Sequence, residues 1–139
     1  MSASQGHPPK EVHDYDDIPG TVVFDAARSR VGYPLNKFLY SLMKAENREA
    51  FLADESGYLD QFHLSPEQKT AVMKRDWNTL LELGGVSYAL AKLAFTDKHS
   101  YQYMAAEMTG MTQDGYMNMM IAGGRSVEGW RSKKDRGEA

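Results

Sequence analysis

The chain has 139 residues, a formal net charge of −3 and no cysteine. This length suits one domain with a modest core. The missing cysteine excludes disulfides, thiolate metal sites and thiol nucleophiles, and the scattered basic residues with an acidic balance argue against a nucleic-acid partner. No apolar run approaches the roughly 20 residues of a membrane span, and no signal-peptide core appears near Met1. We therefore expect a cytoplasmic protein without a membrane or nucleic-acid partner.

The two ends of the chain differ in composition from its middle. Residues 1–17 are polar and acidic and contain Pro8 and Pro9, which predicts a flexible arm or one draped over a partner. Residues 18–125 carry the apolar positions and are predicted to form one helical domain. Residues 126–139 are predicted to be a loose polar tail.

Apolar spacing predicts the first helices. Leu35, Phe38, Leu39 and Leu42 recur at helical intervals after Pro34, a favoured residue in a first turn, so we expect a helix to begin there. A second apolar segment runs from Phe51 to Phe62 and ends before Ser65, because the following proline disfavours helical geometry.

Capping residues predict the later helices. Ser65 and Gln68 form an S-x-x-Q capping box, in which each side chain bonds to the backbone N–H of the other. Further helix starts are predicted at Asp76 and Thr112, with a continuous segment from Val86 to Phe95 between them. Glycine pairs, which allow left-handed stops, end two of these helices: Gly84–Gly85 and Gly123–Gly124.

Residue usage points to helices rather than sheets. Valine and isoleucine together number nine, and no alternating strand pattern is present. The predicted helices are too unequal, and the loops too short, for a regular four-helix bundle. The sequence therefore predicts an all-α fold, an irregular multihelical array in a single domain with a flexible N-terminal arm and a C-terminal tail.

The chain offers no self-contained active site. None of its histidines has a metal-ligand neighbour at helical or loop spacing, and no G-x-S-x-G elbow or phosphate-binding glycine loop is present. The acidic residues Asp14, Asp16 and Asp17 are predicted to belong to a solvated arm rather than to a cation site. The four histidines, His7, His13, His63 and His99, are therefore predicted to have structural or solvent-exposed roles. We predict no catalytic and no metal-binding residue in this chain.

The methionines are concentrated in one segment. Six of nine lie between residues 104 and 120, next to several tyrosines. Flexible thioethers suit adaptable contact surfaces, but they also fill gaps in cores, and the pattern alone favours neither. Our candidate interface residues are Met104, Met108, Met111, Met117 and Met120.

Four runs of residues together resemble a known family. They are DDIPGT at 16–21, SLMKAENRE at 41–49, MTGMT at 108–112 and IAGGRS at 121–126. In this order and spacing they resemble the small α subunits of protocatechuate 4,5-dioxygenases, which belong to the class II extradiol ring-cleaving enzymes. The resemblance extends over roughly residues 15 to 128.

This resemblance implies an α2β2 enzyme. The larger β subunit would hold Fe(II) through two histidines and a glutamate, and the metal-free α subunit would cover the site where a catechol-type aromatic acid meets O2. The segment that aligns with the family's lid is Ser100–Tyr103, where the family more often has phenylalanine. Tyr101 first, and Tyr103 second, are therefore the candidate substrate-binding residues. Protocatechuate, gallate or a methylated relative could be the substrate.

Two other interpretations are open from the residues alone. A stand-alone helical adaptor or regulator could use the methionine-rich surface to bind another protein groove, and would need no iron subunit. An independent acid–base enzyme would need a carboxylate and histidine constellation that the sequence does not show.

Overall fold

The structure is a computed structural model that describes residues 12–126 and residue 137. Over these residues it contains α-helices and no strand, which confirms the predicted all-α class. All of the described helices lie in one compact unit, Phe24–Arg125. In chain order they are α1 (Ala26–Ser41), α2 (Ala45–Ala53), α3 (Glu55–Leu59), α4 (Pro66–Lys74), α5 (Trp77–Glu82), α6 (Ser87–Thr96), α7 (Tyr101–Thr109) and α8 (Gln113–Ile121).

A separate unit comprises Met1–Val23 and Ser126–Ala139. Its described residues 12–23 form turns, in which the His13 N–H donates to Asp16 Oδ2 at 2.8 Å and the His13 ring stacks on Tyr15. The predicted arm (1–17) lies partly outside the described residues, and the predicted tail (126–139) lies almost entirely outside them. Both boundaries stay predictions.

Helix α1 begins earlier than the sequence pattern indicates. Asp25 caps it by accepting a hydrogen bond from the Arg28 N–H at 2.9 Å, and Pro34 lies inside the helix. The prediction that Pro34 opens this helix was wrong. The Asp25 cap, nine residues upstream of Pro34, satisfies the first turn, and the burial of Leu35 and Phe38 holds the helix through the position where proline lacks its N–H.

The second predicted segment is two helices. Asp54 ends α2 with an extended backbone, and its carboxylate accepts from the Gly57 N–H at 3.1 Å to start α3. A short polar side chain that bonds to its own local backbone competes with a continuous helix, which explains the break.

The three predicted caps are confirmed. The Gln68 N–H donates to Ser65 Oγ at 3.1 Å and the Ser65 N–H donates to Gln68 Oε1 at 3.0 Å, so both bonds of the capping box form. Asp76 caps α5 and Thr112 caps α8. The buried Gln68 amide also donates to the carbonyl oxygens of Val31 and Leu83, each at 3.0 Å, and so connects α4 to α1 and to the end of α5.

An aromatic cluster forms between α1, α2, α3 and the loop that follows α3. The ring of Phe38, which is fully buried, lies 5.2 Å from that of Phe51, 6.0 Å from that of Tyr58 and 5.6 Å from that of Phe62. The tilted and edge-on geometries are those that aromatic pairs favour. The Tyr58 hydroxyl is hydrogen-bonded to Ser41 Oγ at 2.7 Å, so the polar group of this buried ring has a hydrogen-bond partner inside the cluster.

Helix α1 also packs closely against the segment that leads into α6. A Cβ atom added to Gly32 would overlap the carbonyl oxygen of Gly84, so only glycine allows this approach. Asn36 fixes the contact: its Nδ2 donates to Gly84 O at 2.8 Å and its Oδ1 accepts from the Val86 N–H at 2.9 Å. These contacts set α6 beside α1.

Candidate functional site

The segment predicted to act as a lid forms the first turn of α7. Ser100 caps the helix by accepting a hydrogen bond from the Tyr103 N–H at 3.1 Å. Gln113 Nε2, at the start of α8, donates to the same hydroxyl at 3.2 Å. One serine therefore fixes the start of α7 relative to the start of α8.

This helix was not predicted as a separate element. The signals for it were present, since Ser100 is a favoured cap and Gly110, with φ 70°, forms a left-handed stop. The turn before this helix is closed by a hydrogen bond. Lys98 takes a left-handed conformation, and the His99 N–H donates to Ala94 O at 2.9 Å.

The two candidate substrate-binding tyrosines have different surroundings. Tyr101 is 40% exposed, whereas Tyr103 is half-buried and its ring stacks face to face on His99, with centroids 3.8 Å apart and an interplanar angle of 12°. One face of the Tyr103 ring is thus covered within the chain. Sequence reasoning missed this stack, although the four-residue spacing between His99 and Tyr103 was a possible signal.

The candidate interface methionines divide into three groups by burial. Met104 is fully buried and belongs to the core cluster, so its side chain is not exposed on the surface. Met108 and Met111 are half-buried, and Met108 packs against the core. Met117 and Met120 are 40% and 53% exposed.

Helix α8 buries none of its own residues. Its apolar side chains stay accessible along its length, up to Ile121, which is 82% exposed. Because the helix is short and covers little apolar surface by itself, a contact with another surface would add to its stability.

The described histidines do not converge. His63 and His99 are exposed, and His13 belongs to the other unit. His7 lies outside the described residues. Over residues 12–126, no three histidine, aspartate or glutamate side chains lie close enough together to hold a metal ion.

A charged cluster that the sequence did not reveal is centred on Arg75. Its Nη1 donates to Glu55 Oε1 at 2.6 Å, its Nε donates to Asp97 Oδ2 at 2.7 Å, and its guanidinium lies 5.4 Å from the centre of the Phe51 ring. Burial acts to lower the pKa of Arg75, but the hydrogen bonds that Arg75 donates to Asp97 and Glu55, together with the negative charges of these carboxylates, outweigh it and raise that pKa. The cluster joins α3, α4 and the end of α6, which is a structural role.

No helix in the described part of the chain is both long and apolar enough to cross a membrane.

Comparison with known proteins shows the family of this chain. Residues 35–121, from within α1 to the end of α8, match the family described as "Aromatic-ring-opening dioxygenase LigAB, LigA subunit". The chain therefore belongs to this family of small subunits of aromatic-ring-opening dioxygenases, as the four sequence runs predicted.

A named relative adds a more specific similarity. The chain is 29% identical over 102 residues to a gallate dioxygenase of Pseudomonas putida, and this match covers 73% of the chain. It covers 30% of the relative. Most of that dioxygenase therefore has no counterpart in the matched segment.

Proposed function

We propose that this chain is the non-metal-binding small subunit of an extradiol dioxygenase that opens the ring of protocatechuate between carbons 4 and 5. In this proposal it covers the Fe(II) active site of a larger β subunit in an α2β2 assembly. The observation that carries the proposal is the family match over residues 35–121. The relative supports it, because a protein named gallate dioxygenase contains a segment like this chain as less than a third of its length.

The iron belongs to the partner in this proposal. The described residues of this chain do not fit the metal, since they bring no three-ligand group together. When bound in the partner, iron would supply the site at which the catechol and O2 react. The contribution of this chain is to cover that site, exclude water and position the aromatic ring.

Tyr101 is the residue we propose to lie over the substrate. It is 40% exposed at the start of α7, and the Ser100 cap and the Gln113 hydrogen bond hold that turn in place. Its ring can cover a planar catechol while its hydroxyl donates to the substrate carboxylate. Tyr103 is the second candidate, because His99 already occupies one face of its ring.

The α7–α8 surface around Tyr101 is the proposed contact with the partner. Met117 and Met120 supply exposed thioethers that adapt to an irregular apolar surface, and α8 lacks buried residues of its own. We expect Met117→Lys to weaken assembly without lowering the melting temperature of the isolated chain. A Met117→Lys chain that melts early yet assembles tightly would place this methionine in the core instead.

Gallate is the second candidate substrate, and the name of the Pseudomonas relative favours it. The value of kcat/KM of the assembled enzyme for protocatechuate, gallate and a methyl ether of gallate would rank these acids. The proposal predicts the highest value for protocatechuate. A higher kcat/KM for gallate would identify gallate, not protocatechuate, as the preferred substrate.

Purification of the tagged chain from its native host tests the proposal as a whole. A larger chain with about one Fe(II) should co-purify in equal amounts, and the isolated small chain should open no catechol ring until that partner is added back. Stoichiometric Fe(II) on the small chain alone would contradict the proposal. Stable capture of a protein without dioxygenase activity would favour the adaptor interpretation.

A further inference from the structure

A second surface of the helical unit, on α1 and α6, has the chemistry of a docking site. Exposed positions on α1 include Tyr33, Lys37 and Tyr40, and the exposed Met43 follows this helix. On α6 the corresponding positions are the exposed Tyr88 and Phe95 and the half-buried Lys92. We call these seven residues the α1/α6 face. Each helix repeats aromatic, lysine, aromatic at intervals of four and three residues, which places the three side chains on one side.

The two helices lie side by side and run in the same direction. Asn36 bonds to Gly84 and Val86 near the start of α6, while Met43, two residues after the end of α1, shares a surface depression of about 390 Å³ with Phe95 near the end of α6. The segment that follows α1 therefore meets the exposed side of α6 at this depression. The remaining lining residues are Leu42, Arg48, Lys92 and Lys98.

The large aromatic and methionine side chains of this face are exposed to solvent. Tyr33 is 67% exposed, Met43 is 63% exposed and Tyr88 is 75% exposed. Tyr40 and Phe95 are 46% and 49% exposed. Tyrosine, phenylalanine and methionine are the residue types enriched at the centres of protein interfaces.

The charge of the face has one sign. Neither α1 nor α6 contains an aspartate or glutamate, although the whole chain has 19 acidic and 16 basic residues. Over the described residues, no carboxylate pairs with Lys37, Lys92 or Lys98. A cationic, aromatic face on an acidic chain is complementary to an apolar surface that carries carboxylates.

The position of the face connects it to the proposed lid. Lys98, on the rim of the depression, precedes Tyr101 by three residues, so the two Cα atoms lie at most about 11 Å apart. A partner that receives Tyr101 comes within reach of Lys98 and Phe95. A second copy of this chain is a poorer occupant, because self-pairing of the face would place lysines against lysines.

We propose that the α1/α6 face docks onto an apolar, carboxylate-bearing surface of the larger ring-opening subunit. This proposal rests on the proposed function and extends it, since it adds a contact outside the methionine-rich end of the chain. The face recognises the partner by apolar burial, and its lysines set the orientation.

The test measures binding of full-length variants to the larger subunit that co-purifies with the wild-type chain. Two double variants, Tyr33→Ser with Tyr88→Ser and Lys37→Glu with Lys92→Glu, should each raise the Kd by about tenfold or more. The matched control is Met73→Ser with Lys74→Glu, at exposed positions of α4, which should leave the Kd within about twofold. Circular dichroism melting of each isolated chain shows that the fold is intact.

The outcomes separate this proposal from the proposed function. If the wild-type chain binds the larger subunit and both α1/α6 variants bind equally well, the docking face is wrong and the subunit function stands. If the wild-type chain binds no dioxygenase subunit, both fail. If the wild-type chain dimerises alone in sedimentation and Lys37→Glu with Lys92→Glu abolishes the dimer, the occupant is a second copy and the proposal is overturned.

Discussion

The aromatic cluster around Phe38 and the methionine-rich end formed by α7 and α8 differ in how much apolar surface the chain itself covers. Phe38 and Phe51 are fully buried by α1, α2 and α3, whereas α8 buries no residue and leaves Met120 and Ile121 53% and 82% exposed. Rigid rings complete their packing within the chain. Flexible methionines at the other end leave surface available for a partner, which is consistent with a subunit.

Truncation of one side chain in each region should give the largest difference. Phe38→Ala removes a ring that contacts three other aromatic rings, so we expect the free energy of unfolding to fall by about 3–5 kcal/mol. Met117→Ala, at an exposed position of α8, should change it by no more than about 0.5 kcal/mol. Urea unfolding of the isolated chain measures both. Comparable losses would show that α8 belongs to the same core.

Glycine substitutions give a second contrast. Gly32→Ala should lower the free energy of unfolding by about 1–3 kcal/mol, because the added methyl would overlap the Gly84 backbone and push α1 away from α6. In Gly115→Ala the new Cβ would lie 3.0 Å from Thr112 Oγ1, a side-chain atom that can shift. That change should stay below about 1 kcal/mol, since alanine also favours the helix. A stable Gly32→Ala chain would contradict the close packing.

Tyr101 tests the function of the methionine-rich end. In the assembled enzyme, Tyr101→Phe should lower kcat/KM by the equivalent of about 1–2 kcal/mol, because it removes the one polar contact that we propose to the substrate carboxylate. Tyr101→Ala should shift relative activity toward larger catechols such as gallate. Steady-state kinetics on a panel of catechol acids measures both effects.

The matched control for Tyr101 is His63→Ala, at an exposed position where we predict no catalytic role. Its kinetic constants should equal those of the wild type. Wild-type values for Tyr101→Ala on every acid would exclude Tyr101 from the site and leave Tyr103 as the candidate.

The smallest expected effect is an increase in the free energy of unfolding. Lys98 has a φ of 67° and no ion pair over the described residues, so Lys98→Gly should raise the free energy of unfolding by about 0.5–1 kcal/mol. Arg75 has a φ of 53°, but its guanidinium binds Glu55 and Asp97. Arg75→Gly should therefore destabilise the chain. Thermal melting compares the two; a loss for Lys98→Gly would mean that its side chain stabilises the turn.

The candidate site was predictable only in part. The proposed lid segment, Ser100–Tyr103, came from the resemblance to a known family, but the different surroundings of its two tyrosines depend on the His99 ring, which stacks only in the folded turn. Met104 and Met117 look alike in the sequence. Their burial differs because α7 packs against the core on one side, whereas α8 does not.

The sequence by itself determined the helical class, the caps at Ser65, Asp76 and Thr112, and the family, because these depend on local hydrogen bonding, periodicity and residue runs. Only the tertiary structure decided that Pro34 lies inside α1 and that Arg75 joins three elements. It also brought the segment that follows α1 and the exposed side of α6 together at one depression. Contacts between residues 20 to 50 positions apart create the Arg75 cluster and the packing of α6 on α1, and no local pattern encodes which distant surfaces meet.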